Sequence, residues 1–259
     1  MNPLHATFHY LKYLTKAQNL HGLHSPFVYA LYQNVIATEQ QYYFFLNAEK
    51  LRENLLLNNS IINKKELGAS NKKGFKTTVS KIAKRSLKPS KEAQLLFKLV
   101  NYFQSKNILE IGTSLGLTTA YLASANSNAK VITLEGCPET MQVANENVKL
   151  LKIENVKCIL GNFDDTLPNA ISEFSTLDFV FFDGNHTYKS TINYFENCLN
   201  NASENTVFVF DDIYWSIGMT KAWQEIKNNI RVTVSVDLFK MGIIFFRPQQ
   251  AKQHFILRF

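Results

Sequence analysis

Residues 108–120 read Ile-Leu-Glu-Ile-Gly-Thr-Ser-Leu-Gly-Leu-Thr-Thr-Ala. A short apolar run, Ile108, Leu109 and Ile111, carries one acid, Glu110, and stops at Gly112. Gly116 follows four residues on, and the stretch from Leu117 to Ala123 suits a helix. Strand, tight turn and helix N-terminus is the order this predicts, with glycines letting a ligand approach backbone N–H groups. It is not the dinucleotide pattern G-x-G-x-x-G, because Ser114 stands where the second glycine would be.

Glu110, two residues before the first glycine, is the informative departure. A carboxylate there repels a pyrophosphate and suits a cationic or hydroxyl-bearing ligand. S-adenosylmethionine, with its ammonium, sulfonium and ribose, fits that description.

Working outward, strands and helices alternate on both sides of the turn. A helix is expected over 92–103, capped by Ser90, then strands at 107–111, 130–135, 156–160, 177–183 and 206–211. Helices at 115–125, 138–151, 165–173, 187–200 and 217–229 separate and follow them. The runs 231–238 and 242–247, joined around Lys240-Met241, predict a closing β-hairpin whose last strand is antiparallel. The fold class is α/β: a Rossmann-like, doubly wound sheet of seven strands with an antiparallel last strand, preceded by an N-terminal helical extension. The expected division is residues 1–87 for the extension, serving as lid or oligomer contact, and 88–259 for the ligand-binding domain.

In such sheets ligands bind at the carboxyl ends of the strands. Those ends are Gly112-Thr113-Ser114, Glu135, Gly161-Asn162-Phe163, Asp183-Gly184-Asn185-His186 and Asp211-Asp212. Glu135 falls 23 residues after Gly112, close to where an acid meets ribose hydroxyls in dinucleotide folds, so the spacing alone allows NAD as well.

These residues together resemble the class I S-adenosylmethionine-dependent methyltransferases, and within them the catechol and caffeoyl-CoA O-methyltransferase type. The resemblance covers residues 88–247, terminal hairpin included. It implies that Glu110 and the turn from Gly112 through Thr113 and Ser114 to Gly116 surround the methionine part of the cofactor. Glu135 would accept the ribose hydroxyls, Asn162 would face the adenine amino group, and Phe163 would lie near the ring. In the metal-dependent branch, Asp183, Asp211 and Asp212 would hold Mg²⁺ or another divalent cation. His186 stands where the family often has a proton-accepting lysine, and Asp212 where it commonly has Asn. His186 is therefore a candidate base beside Asp183, or a further ligand. Tyr214 and Trp215 are open between acceptor pocket and plain core.

The expected reaction is methyl transfer to a small-molecule hydroxyl. A rival is an RNA or other nucleic-acid methyltransferase, suggested by charge: residues 1–107 sum to +11 and residues 108–259 to −4. Residues 63–91 alone hold ten Lys and Arg against one acid, Glu66, and read as a loop, an anion-binding arm or a lid. Against that rival, the fourth strand does not end in the Asn/Asp-Pro-Pro-aromatic run that resembles base-amine methyltransferases. A non-catalytic protein keeping the fold would be expected to lose the cofactor acids, which are present. Residues 4–62 read as helical, with Ser25-Pro26 starting one helix and Tyr42 to Phe45 as core. Cys137, Cys158 and Cys198 share no metal-type spacing and read as reduced cytoplasmic thiols. No apolar run approaches a membrane span and no signal peptide is visible. A homodimer is compatible with all of this.

Overall fold

A computed structural model describes residues 3–64 and 74–259. The chain forms two compact units, residues 39–174 and residues 1–38 with 175–259.

The unit 39–174 begins with α3 (Tyr43–Leu57), counted after two helices of the other unit, α1 (Pro3–Lys16) and α2 (Pro26–Leu31). An antiparallel pair follows, β1 (Ile61–Lys64) and β2 (Phe75–Thr78), then α4 (Val79–Ser86) and α5 (Ser90–Phe103). Three parallel strands come next, β3 (Asn107–Ile111), β4 (Lys130–Glu135) and β5 (Val156–Leu160), with β4 in the middle. They alternate with α6 (Leu117–Ala125), α7 (Pro138–Leu150) and α8 (Phe163–Ser172). Ile108, Leu109, Ile111, Val131, Ile132 and Leu134 are wholly buried, because helices cover both faces of a parallel sheet. A second core, around Phe45, Leu51, Phe97 and Tyr121, packs α3 on α5 and α6.

The unit made from both ends of the chain holds β6 (Leu177–Phe182), α9 (Tyr188–Leu199), β7 (Ala202–Asp211), α10 (Ile217–Asn228), β8 (Val234–Asp237), β9 (Met241–Phe245) and β10 (Gln253–Ile256). β9 lies antiparallel between β7 and β8, while β6 runs parallel to β7. Gly242 sits in β9 where a Cβ would come within 2.6 Å of the buried Trp223 ring.

The seven expected strands are present, and so is the inserted antiparallel strand. The differences are instructive. β10, parallel to β8, is an additional strand. Residues 61–64 and 75–78 are paired strands where helix and loop were expected, and residues 65–73 of that basic stretch lie outside the described residues. Ser90 does not cap α5; its hydroxyl donates to Glu49, and Pro89 holds the cap position. Ser25 does cap, accepting from the Val28 N–H at 3.4 Å, but the helix continues through a π-turn at Tyr32–Ile36. Of the four aromatics at 42–45, Phe45 is core and Tyr43 is fully exposed. Among the described residues, no helix is long and apolar enough to cross a membrane.

Candidate active site

In the unit 39–174, the turn after β3 is closed on itself. The Gly112 and Thr113 N–H groups both donate to the Leu134 carbonyl, at 3.1 and 3.0 Å, and the Gly116 N–H donates to Thr113 at 2.9 Å. Gly112, Ser114 and Gly116 all have left-handed backbones, with φ of 112°, 49° and 77°. Gly116 is the tight point: a Cβ there would lie 3.0 Å from the Ala144 Cβ and 3.1 Å from its backbone. The expectation that these N–H groups face a ligand is corrected. They are spent inside the protein, so the turn offers little to an anion.

Glu135, at the end of β4, supplies the polar edge of this turn. One carboxylate oxygen accepts from the Ser114 N–H at 2.8 Å, the other from the Cys137 N–H at 2.9 Å. Burial pushes its pKa up against the pull of those N–H groups and of the Lys64 charge. Each oxygen keeps a lone pair. The Ser114 hydroxyl meets the Ser86 hydroxyl at 2.8 Å, which ties α4 to the turn.

Glu110 has no exposed surface; its Oε2 accepts from the Thr119 hydroxyl and, at 2.7 Å, from the Thr133 hydroxyl. Thr113 and Thr133 join that network at 2.6 Å. Asn162 caps α8 by accepting from the Asp164 N–H at 3.3 Å, and Phe163 is buried in the first turn of the same helix.

In the other unit, the loop after β6 and the end of β7 bring three groups together. Ligand atoms of Asp183, His186 and Asp211 all lie within 4.8 Å of one another, and His186 Nε2 stands 3.4 Å from Asp183 Oδ1. Asn185, left-handed at φ 59°, holds the loop by donating to the Tyr194 hydroxyl at 2.6 Å. Burial pulls the His186 pKa down, but the Asp183 hydrogen bond and the charges of Asp183, Asp211 and Asp212 win, and it ends raised. Two carboxylates and an imidazole form a mixed oxygen and nitrogen set that suits a divalent cation.

Asp212 is not in that cluster. Its backbone is left-handed at φ 51°, a conformation short acidic residues tolerate, and it lines a neighbouring cavity of about 230 Å³. The other lining residues are Ala6, Thr7 and Tyr10 of α1, Tyr214, Trp215, Phe239 and Lys240. Tyr214 and Trp215 are thus pocket walls, not plain core. His9 stacks on Tyr214 at 4.6 Å and Tyr10 lies against Phe239 at 4.9 Å. The Tyr214 hydroxyl donates to buried Asp237. The share of α1 in this cavity had no motif to announce it; an aromatic-rich amphipathic helix was the whole signal.

Residues 109–213 match the methyltransferase-domain family. The catechol O-methyltransferase of Mycobacterium tuberculosis is 29% identical over 126 residues, covering 48% of this chain and 56% of that protein. The catechol O-methyltransferase of Niastella koreensis is 30% identical over 125 residues, covering 47% and 56%. The chain thus matches a little over half the length of these curated relatives. Among solved structures, an O-methyltransferase from Bacillus cereus in complex with S-adenosylhomocysteine superposes with a TM-score of 0.57 at 18% identity, over 83% of this chain and 97% of that one. Residues 109–213 thus resemble a methyltransferase domain, and the chain shares its α/β fold with the solved O-methyltransferase structure from Bacillus cereus.

Proposed function

We propose that this chain is an S-adenosylmethionine-dependent O-methyltransferase acting on a small-molecule hydroxyl. The observation that carries the reading is Glu135. Its two oxygens are pinned by the Ser114 and Cys137 N–H groups, which leaves a fixed pair of acceptors for the two ribose hydroxyls. A neighbouring turn whose own N–H groups are occupied disfavours a phosphate-bearing cofactor. On this reading Gly112, Thr113, Ser114 and Gly116 shape the methionine site, and Glu110 fixes that turn through Thr119 and Thr133. Asn162 and Phe163 flank the adenine. Residues 88–259 are the methyltransferase domain and residues 1–87 its extension.

The reaction is a single displacement. The acceptor oxygen attacks the sulfonium methyl carbon in line, the O–C bond forms as the S–C bond breaks, and S-adenosylhomocysteine leaves. The hydroxyl proton goes to His186, whose Nε2 Asp183 orients. Aligning the two reactants is worth roughly 7–11 kcal/mol, so little nucleophilic machinery is required. Asp183 and Asp211 would hold a divalent cation, which when bound lowers the acceptor hydroxyl's pKa, and His186 stays free to take the proton. The aromatic lining of the cavity beside Asp212 supports a small-molecule acceptor. Free cysteines are in keeping with a cytoplasmic protein.

Calorimetry with S-adenosylhomocysteine is the test, run in EDTA and again with Mn²⁺. Micromolar binding and its loss by tenfold or more in Glu135→Ala are expected, with Mn²⁺ binding lost in Asp211→Asn. Absence of S-adenosylhomocysteine binding while NAD binds would overturn the cofactor assignment.

A further inference from the structure

Helix α1 is amphipathic with its two sides exchanged. The side packed on the protein is polar and aromatic. His5 Nε2 meets the Thr220 hydroxyl at 2.9 Å, His9 stacks on Tyr214 at 4.6 Å, and the Tyr13 hydroxyl donates to the Leu257 carbonyl at 2.7 Å. The other side is apolar: Leu4, Phe8, Leu11 and Leu14 are 81%, 63%, 58% and 44% exposed. At the helical period Leu4, Phe8 and Leu11 form one row, Leu14 borders it, and Tyr13 points the opposite way. A surface helix normally turns its apolar stripe inward. Scattered exposed leucines need no explanation, but four large apolar side chains on one helix mark an interaction surface.

We infer that this face of α1 is a docking surface for an anionic lipid bilayer, on which the helix lies in the plane of the headgroups. The charge around the stripe selects that occupant. Lys12 and Lys16, both exposed, follow Phe8 at one-turn intervals along one flank of the stripe. Residues 1–38 hold no Asp or Glu. The acids packed nearest α1 do not answer these lysines. Asp237 is buried and accepts from Tyr214, and Asp212 shares its cavity lining with the opposite charge of Lys240.

A bulky apolar face with lysines beside it is the composition of helices that lie in a membrane interface. The lysines are drawn to anionic headgroups within a Debye length, and the leucine and phenylalanine side chains enter the acyl boundary. At fourteen residues α1 is too short to span a bilayer, so the attachment is peripheral. Its inner contacts keep it folded beforehand, so docking carries no cost of helix formation. A second copy of the chain is the poorer occupant. Four side chains on one helix fall short of the about 800 Å² per partner that a stable dimer buries. Stacking the face on itself would also bring lysines together with no carboxylate of residues 1–38 to meet them.

The test is sedimentation of the full chain with vesicles of phosphatidylcholine, alone or mixed two to one with phosphatidylglycerol. Binding to the anionic vesicles is expected to be at least fivefold the stronger and to fall several-fold at high salt. Because the chain as a whole carries a charge of +7, variants must identify the surface. Leu4→Ser/Phe8→Ser/Leu11→Ser alters exposed side chains alone and is expected to weaken binding tenfold or more, with thermal melting reporting that it is folded. Lys12→Gln/Lys16→Gln is expected to remove the preference for anionic vesicles. Phe8→Trp puts an indole on the stripe, and its emission, taken as the difference from the parent, is expected to shift to the blue on anionic vesicles. Undiminished binding by the triple serine variant, or an unshifted indole emission, overturns the inference. So does light scattering that shows a parent dimer which the triple variant converts to a monomer, because the face would then belong to a second copy.

Discussion

His254 shows how one ring can set a pH limit on stability. It lies in β10, with Nδ1 2.8 Å from the Ser235 hydroxyl and Nε2 3.2 Å from the Lys227 ammonium. Desolvation, then the Lys227 charge, pull its pKa down to about 4. The free imidazole takes a proton near pH 6.5. Below that pH the unfolded chain binds a proton that the folded chain refuses, so stability is full above about 6.5 and falls as the pH drops towards 4. The ring is partly in solvent, so screening reduces the contribution to about 1 kcal/mol. Asp237, whose pKa burial raises, works in the opposite sense, and a difference measurement removes it. Urea unfolding at pH 7 and pH 4.5 is expected to show that loss in the parent chain, and a flatter dependence in His254→Gln. Parallel pH profiles would refute the assignment.

The paired strands β1 and β2 show what an element can do without a hydrophobic signature. Their register runs from Ile61 opposite Thr78 to Lys64 opposite Phe75, and Ile62 is the buried residue of β1. What anchors the pair is polar. The Asn63 N–H and Nδ2 donate to the two Glu139 oxygens at 2.6 and 2.8 Å, and this pulls the Glu139 pKa down. Glu139 stands in the first turn of α7, one turn past Glu135, and the Lys64 charge acts on Glu135. Asn63→Ala should therefore speed hydrogen exchange of the β1 and β2 amides and weaken S-adenosylhomocysteine two- to fivefold. Unchanged exchange in that variant would show that the clamp is idle. The contrast with β3 to β5 explains what was legible in the sequence. β3 and β4 are buried on both faces and must be apolar runs, so their bounds could be read directly, whereas β5 is only half-covered, with Lys157 and Leu160 exposed. Ile-Ile-Asn-Lys and Phe-Lys-Thr-Thr alternate nothing, and their pairing is fixed by contacts far along the chain. Asp212 was illegible for a different reason. A left-handed φ after Asp211 keeps it out of the cluster, and His186 stands there with Asp183 and Asp211.

At the scale of the whole molecule, the decisive fact is that one unit is assembled from the two ends of the chain. The Gln18 N–H donates to the Ile256 carbonyl at 2.8 Å, and the Arg258 N–H donates back to Gln18 at 2.9 Å. The Phe259 N–H donates to the Tyr13 hydroxyl at 3.1 Å. Contacts separated by about 240 residues carry a large loop-closure cost and form late. The residues proposed to hold the cofactor, Glu110 to Phe163, all lie in the other, continuous unit. The two ligand functions should therefore separate when the chain ends are parted. Removing residues 253–259 deletes β10 and frees Tyr13, and with it the packing that seats α1. Hydrogen exchange over residues 4–16 is expected to rise by an order of magnitude and acceptor binding to be lost, while S-adenosylhomocysteine affinity stays within twofold. Tyr13→Phe, which keeps the ring and deletes the two hydrogen bonds of its hydroxyl, should reproduce the effect in weaker form. If both affinities fall together in both variants, the chain ends support the cofactor unit as well, and the separation of roles argued from their residues is wrong.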